Sequence, residues 1–239
     1  MAIFVNIGIV MAENSVQSQQ LDPSELKGHP TIDPGSLDAP TLSALLASRL
    51  CHDLINPVGA LGSGLEVLDE DGVDEGMRDA ALELIRTGGA KSISLLKYAR
   101  LAYGASGGRG VEIPMEEAGE ILSDLYQWSK ADLVWSAPAG QEPKDIAKSV
   151  MILTHYASEC VPRGGTVTVE KGDREYRIEA DGKRALLQDD LTAALKGDSN
   201  EIKPKFAPAY LVGLLMRGVG GSASVGRVCD EKIAFSVRF

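Results

Sequence analysis

Cysteine is scarce in this 239-residue chain: Cys51, Cys160 and Cys229 are the full complement. They form no CxxC pair and no metal-ligand spacing with His29, His52 or His155, which argues against a disulfide framework and a metal-binding cluster and fits a reduced cytoplasm. Long apolar runs are also missing, so no segment is expected to span a bilayer. Cations are outnumbered, 24 Lys and Arg against 34 Asp and Glu, and the net charge of −10 speaks against nucleic acid, which needs a basic surface. The apolar stretch Met1 to Val10 has no positively charged residue before it, so it does not read as a secretory signal. Translation is expected to begin at Met11, and residues 1–38, rich in Ser, Gln, Asp and Pro, read as disordered. What remains is 44% hydrophobic, enough for one large domain or two small ones.

The informative stretch is Leu50-Cys51-His52-Asp53-Leu54-Ile55-Asn56-Pro57. Leu42, Leu46, Leu50, Leu54, Val58, Leu61, Leu65 and Leu68 recur at spacings of three and four and predict one amphipathic helix over about Thr41 to Leu68. His52 falls opposite the centre of that stripe, so a helix that buries the leucines holds the imidazole in solvent. Ser48, Asn56, Gly59 and Ser63 share its outward face, and all are short enough to let a partner come close. Asp53 can act on the protonation of the ring. Pro57 has no backbone donor and predicts a bend one turn later. A second helix is expected over about Asp74 to Ala102. Two helices cannot cover both stripes alone: a homodimer would do so as a four-helix bundle, and a hairpin packed on the chain's own C-terminal part is the competing arrangement.

The run Gly104-Ala105-Ser106-Gly107-Gly108-Arg109-Gly110 lacks the Lys-Ser/Thr ending and preceding strand of a phosphate loop and reads as a linker. Beyond it, over 111–239, helices are expected at 116–130, 143–160 and 210–217. A strand is expected at 132–135, with hairpins formed by 166–169 with 175–178 and by 223–228 with 233–238. The chain as a whole reads as α+β: a helical hairpin over 39–104, then a mixed sheet with helices on one face.

His52-Asp53-Leu54-Ile55-Asn56-Pro57 resembles the phospho-accepting box of sensor histidine kinases. With Ser48-Arg49-Leu50-Cys51, Pro57-Val58-Gly59-Ala60 and Gly64-Leu65-Glu66, the chain from about Ala39 to Phe239 is more similar to the ChpT-type histidine phosphotransferases of alphaproteobacteria. The second part resembles a degenerate histidine-kinase ATP-binding domain. Tyr156 stands where the Mg²⁺-ligating asparagine would be, Glu159 where a basic residue is usual, Ala180 at the adenine-binding aspartate and Arg184 at a glycine of that region. Pro204-Lys205-Phe206-Ala207-Pro208 takes the place of the phosphate loop. Backbone that must approach phosphate, a metal ligand and an adenine acceptor are thus all replaced, and ATP binding is not expected.

The resemblance implies a phosphorelay intermediate that needs no cofactor of its own. His52 takes a phosphoryl group from an aspartyl phosphate on the receiver domain of a CckA-like hybrid kinase and passes it to response regulators similar to CtrA and CpdR. The Mg²⁺ is expected in the receiver. His52 and Asp53 would carry the chemistry, and Arg49, Asn56 and Gly59 would meet the partner. Arg49, near the outward face, reads equally as a receiver contact or a solvated charge. Asn56 either bonds the phosphoryl group or caps the turn. His155 has no evident Ser or Cys partner and no chemical duty. The rival reading is a non-catalytic dimeric scaffold that sequesters receivers.

Overall fold

A computed structural model of the chain describes residues 37–104, 112–197 and 202–239. The expected disorder of residues 1–36, the alternative start at Met11 and the glycine linker beyond Gly104 lie outside the described residues. Helix α1 (Ala39–Asp69) begins where Asp38 accepts a 2.7 Å hydrogen bond from the Thr41 amide, with Pro40 in the first turn, where its missing donor is harmless. It runs on through Pro57. Gly72, at φ 80°, shapes the turn, and Asp74 caps helix α2 (Glu75–Ala102) through the Met77 amide. The two helices form the antiparallel hairpin expected.

Two glycines set how closely the helices meet. A Cβ on Gly88 would lie 2.6 Å from the Pro57 carbonyl oxygen, and one on Gly64 would lie 2.6 Å from Ile85 Cγ1. This close approach changes which face of α1 is buried. The covered row is Leu42, Arg49, Pro57 and Gly64, whereas Val58 and Leu65 of the leucine stripe stay 50% and 53% exposed. Beyond Leu42 the stripe therefore flanks the contact, because Pro57 and Gly64 occupy its centre.

The rest of the chain is a sheet with helices against one side. Its elements are β1 (Glu112–Pro114), α3 (Met115–Tyr126), β2 (Ala131–Trp135), β3 (Gln141–Pro143), α4 (Lys144–Cys160), β4 (Gly165–Lys171) and β5 (Glu175–Asp181). There follow α5 (Asp189–Lys196), a short 3₁₀ turn (Pro204–Phe206), α6 (Ala207–Gly218), β6 (Ser222–Cys229) and β7 (Lys232–Arg238). The five-stranded sheet runs β2-β4-β5-β7-β6; β2 and β4 are parallel, joined through α4, and the other pairs are antiparallel. In register, Val167 faces Ala180, Val169 faces Ile178 and Ile178 faces Phe235, so alternate residues point to one fully buried face. Val150, Met151 and Leu153 of α4 close that core. Helix α5, the 3₁₀ turn and the small β1-β3 ribbon are additions that the periodicity does not reveal.

The hairpin docks on its own C-terminal part. Leu42, Leu95, Tyr98, Leu101 and Ala102 join the same buried cluster as Leu122 and Met151. The Lys148 ammonium holds the Gly104 carbonyl at 2.5 Å, tying the end of α2 to α4. Part of the surface expected to need a second copy is thus covered within the chain, while Ile55, Ile93 and Leu96 remain at least half exposed.

Candidate active site

Helix α1 carries His52 in the middle of its length, where both ends of the helix are far away and the backbone is fixed. The imidazole side chain is 81% exposed. Its outward neighbours Ser48, Asn56, Gly59 and Ser63 are all exposed, and nothing would stand within 4 Å of a Cβ on Gly59. The expectation for this face holds as a matter of placement.

Behind the ring lies a chain of charged contacts. His52 Nδ1 is 3.4 Å from Asp53 Oδ1. The other Asp53 oxygen accepts a 2.7 Å bond from Arg49 Nε, one turn earlier on α1. Arg49 also donates through a terminal nitrogen to Glu159 Oε1 of α4 at 2.5 Å, and through the other to the Lys205 carbonyl at 3.5 Å. That carbonyl accepts from the Tyr156 hydroxyl as well. Lys205 Nζ lies 3.5 Å from the second Glu159 oxygen.

Arg49 accordingly corrects its sequence-based placement near the outward face. Its side chain is only 10% exposed and turned toward the C-terminal part. The physical reason is that Glu159 of α4 offers a carboxylate within reach of Arg49, and a fork-shaped guanidinium can satisfy two carboxylates at once. Burial works against the Arg49 charge, but Glu159 and Asp53 overcome it and hold the guanidinium firmly protonated. Burial likewise opposes the Glu159 charge, and Arg49 outweighs it, keeping that carboxyl below its usual range. The two shifts agree that the pair is ionised.

Two grooves meet at His52. One, of about 320 Å³, lies beside α4 and includes Asn56, Lys91, Tyr126, Trp128 and His155. The other, of about 530 Å³, is bounded by Ser48, Glu159, Lys203, Pro204 and Lys205. His155, read from sequence as a bystander, is packed edge-to-face on Tyr98 at 4.9 Å, and burial lowers its pKa, so its ring stays neutral. Glu159, Lys205 and His155 are the site residues that sequence reasoning missed as such. The one signal for Glu159 was its departure from the basic residue usual in the resembling kinases. Among the described residues no group of three or more His, Cys, Asp or Glu is arranged to hold a metal ion.

Comparison with known proteins places this geometry. A family model described as the histidine phosphotransferase C-terminal domain matches residues 115–228. The protein phosphotransferase ChpT of Brucella abortus (strain 2308) is 34% identical over 157 residues, covering 65% of this chain and 73% of that one. The chain belongs to the ChpT family of histidine phosphotransferases. A solved bacterial phosphotransferase structure matches 86% of this ChpT-family chain and 99% of its own, with 28% identity and a TM-score of 0.76. The family match covers α3 to β6, and the hairpin with His52 lies outside it. Among the described residues no helix is long and apolar enough to cross a membrane.

Proposed function

We propose that this histidine phosphotransferase shuttles a phosphoryl group between aspartates of receiver domains through phosphohistidine at His52, without binding ATP. The observation that carries the proposal is the disposition of His52: an exposed ring whose Nδ1 side faces Asp53 and whose Nε2 side faces solvent between two grooves. In neutral His52 with the proton on Nδ1, the Nε2 lone pair attacks the phosphorus of an aspartyl phosphate. The N–P bond forms as the bond to the aspartate oxygen breaks, and the electron pair leaves with the aspartate carboxylate. The ring then carries the phosphoryl group on Nε2 and the proton on Nδ1, where Asp53 offsets the positive charge. Attack by an aspartate of a second receiver reverses each step. Magnesium belongs to the receiver in this scheme, and the chain needs no cofactor of its own.

The loss of ATP chemistry is supported by what fills the degenerate site. Tyr156, Cys160, Leu186, Leu191 and Phe206 enclose a cavity of about 10 Å³, room for no more than a water. A site for a drug-sized ligand needs roughly 300 Å³ or more. The Tyr156 hydroxyl, kept protonated by burial, closes onto the Lys205 carbonyl there.

A homodimer completes the proposal. Ile55, Val58, Leu65, Ile93 and Leu96 are each at least half exposed on the hairpin, and an apolar groove of about 360 Å³ runs between Leu46, Leu50, Leu96 and Tyr103. A second hairpin would cover these and leave both His52 rings outward. Asn56 and Gly59 would meet the receiver, while Arg49, bound inward, would act from behind. The partners proposed are a CckA-like hybrid-kinase receiver and CtrA-like and CpdR-like regulators, in the cytoplasm.

The test offers the purified protein, beside its His52→Ala variant, either radiolabelled ATP or a radiolabelled phosphorylated receiver. Label from the receiver on wild type alone, and none from ATP, is expected. Labelling by ATP would make it an autokinase. Binding of the receiver without uptake would make it a scaffold.

A further inference from the structure

The shuttle so proposed leaves the C-terminal part with no evident task, since it carries none of the reacting atoms. The ion pairs behind His52 supply one. On an exposed helix an Arg–Asp pair at i, i+4 is weak and fixes neither side chain. Here the pair is buried and its guanidinium is gripped by α4 and the 3₁₀ turn. A planar fork held at Glu159 can bond Asp53 in only one orientation. One Asp53 oxygen is thereby consumed by Arg49 Nε, and the remaining one is directed at His52 Nδ1. We infer that Glu159 is a positioning residue for the transfer reaction, acting across the hairpin–domain junction through Arg49 and Asp53 to hold His52 with its Nδ1 protonated and Nε2 free. The inference rests on the phosphotransfer reading given above and assigns the degenerate domain a part in it.

Arg49 must be arginine for this to work. A lysine carries the same charge but no fork, and can neutralise Glu159 without orienting Asp53.

The experiment measures single-turnover transfer from a phosphorylated receiver at varied receiver concentration, for wild type, Glu159→Gln, Arg49→Lys, Asp53→Asn and the double variant Asp53→Asn/Glu159→Gln. Lys97→Ala serves as control. It removes another ion pair between hairpin and domain, Lys97 with Asp124 at 3.5 Å, whose residues line neither groove at His52. Glu159→Gln and Arg49→Lys are expected to slow the maximal rate about tenfold or more, with half-saturation unchanged within about twofold. Adding Glu159→Gln to Asp53→Asn is expected to cost nothing further, because the link is already cut. Lys97→Ala should transfer like wild type. A wild-type rate in Glu159→Gln, an undiminished effect in the Asp53→Asn background, or an equal loss in Lys97→Ala would overturn the assignment.

A second readout needs no activity. Nitrogen-15 NMR of His52 in the resting protein should show the Nδ1-protonated tautomer in wild type and a shift toward Nε2–H in Glu159→Gln. The same tautomer mixture in both would also overturn it. Should wild type and His52→Ala alike take no label, the phosphotransfer reading fails, and the NMR comparison still decides whether Glu159 orients the ring.

Discussion

Replacing Arg49 by methionine keeps an unbranched apolar stem and removes the charged guanidinium, and its effect can be worked from the contacts. Arg49 makes two charge-assisted bonds, 2.7 Å to Asp53 and 2.5 Å to Glu159, with 10% of its side chain exposed against 18% and 25% for its partners. Without it, two carboxylates face one another across a closed junction. Removing one partner of a buried pair costs roughly 3–5 kcal/mol, and the residual exposure here favours the lower end, about 3 kcal/mol. For a chain of this size that corresponds to a fall in Tm of about 6–12 °C. The pH dependence provides a sharper signature than the size of the loss. In wild type Glu159 has a depressed pKa, so its contribution is present above the ordinary carboxylate value near 4.5 and lost as pH falls through the folded-state value. In Arg49→Met the same carboxylates keep only the half-exposed Lys205 beside Glu159 as a cation, so their folded-state pKa values rise relative to wild type. Relative to wild type, whose Glu159 contribution is constant over that range, the variant should therefore gain stability as pH falls from about 6 toward 4.5. Urea denaturation followed by circular dichroism at several pH values measures both. A loss under about 1 kcal/mol with an unaltered acid limb would refute the buried-network reasoning.

His155 supplies a second pH effect: its folded-state pKa is lowered by burial, so stability should fall as pH drops below its ordinary value of 6.5, by at most about 1.4 kcal/mol per pH unit. Denaturation of His155→Phe should lack that slope, and a slope unchanged by the substitution would place it elsewhere. The glycines of the hairpin should divide. Gly88→Ala sets a Cβ 2.6 Å from the Pro57 carbonyl oxygen and should lose about 1 kcal/mol despite alanine's better helix propensity, whereas Gly59→Ala, with open space, should gain about 0.5–1 kcal/mol. Equal effects at the two positions in thermal melts would contradict the close helix contact. Ile93→Lys places a charge on the exposed apolar face and should convert a dimer to a monomer in sedimentation velocity, with the circular dichroism spectrum unchanged; a wild-type sedimentation coefficient would exclude that face from the interface.

Much of this arrangement is legible in the residues, and the reasons are specific. The hairpin declares itself because Asp38 and Asp74 are caps and the apolar periodicity is long. The strands of the second part alternate visibly because only one face of their sheet is buried. His52 reads as outward because it falls opposite the leucine stripe, and its ring is indeed exposed. Arg49 is misplaced by the same reasoning. A leucine stripe suggests the buried side, but Gly64 and Gly88 shift the true contact to the row of Leu42, Arg49, Pro57 and Gly64, and with it Arg49 turns inward. Glu159 sits more than one hundred residues away on another helix, and no local pattern records that α4 will meet α1. Helix α5 has only eight residues, too short for periodicity to distinguish from loop.

The most direct test of the shuttle is whether the phosphoryl group leaves His52 again for another receiver. Wild-type protein is labelled from a phosphorylated receiver, freed of it, and mixed with a second, unphosphorylated receiver carrying its acceptor aspartate or lacking it. Rapid loss of label from His52 with its appearance on the intact second receiver, and retention when that aspartate is missing, is the predicted result. Label that never enters His52, or enters and does not leave for any receiver, would contradict the central claim.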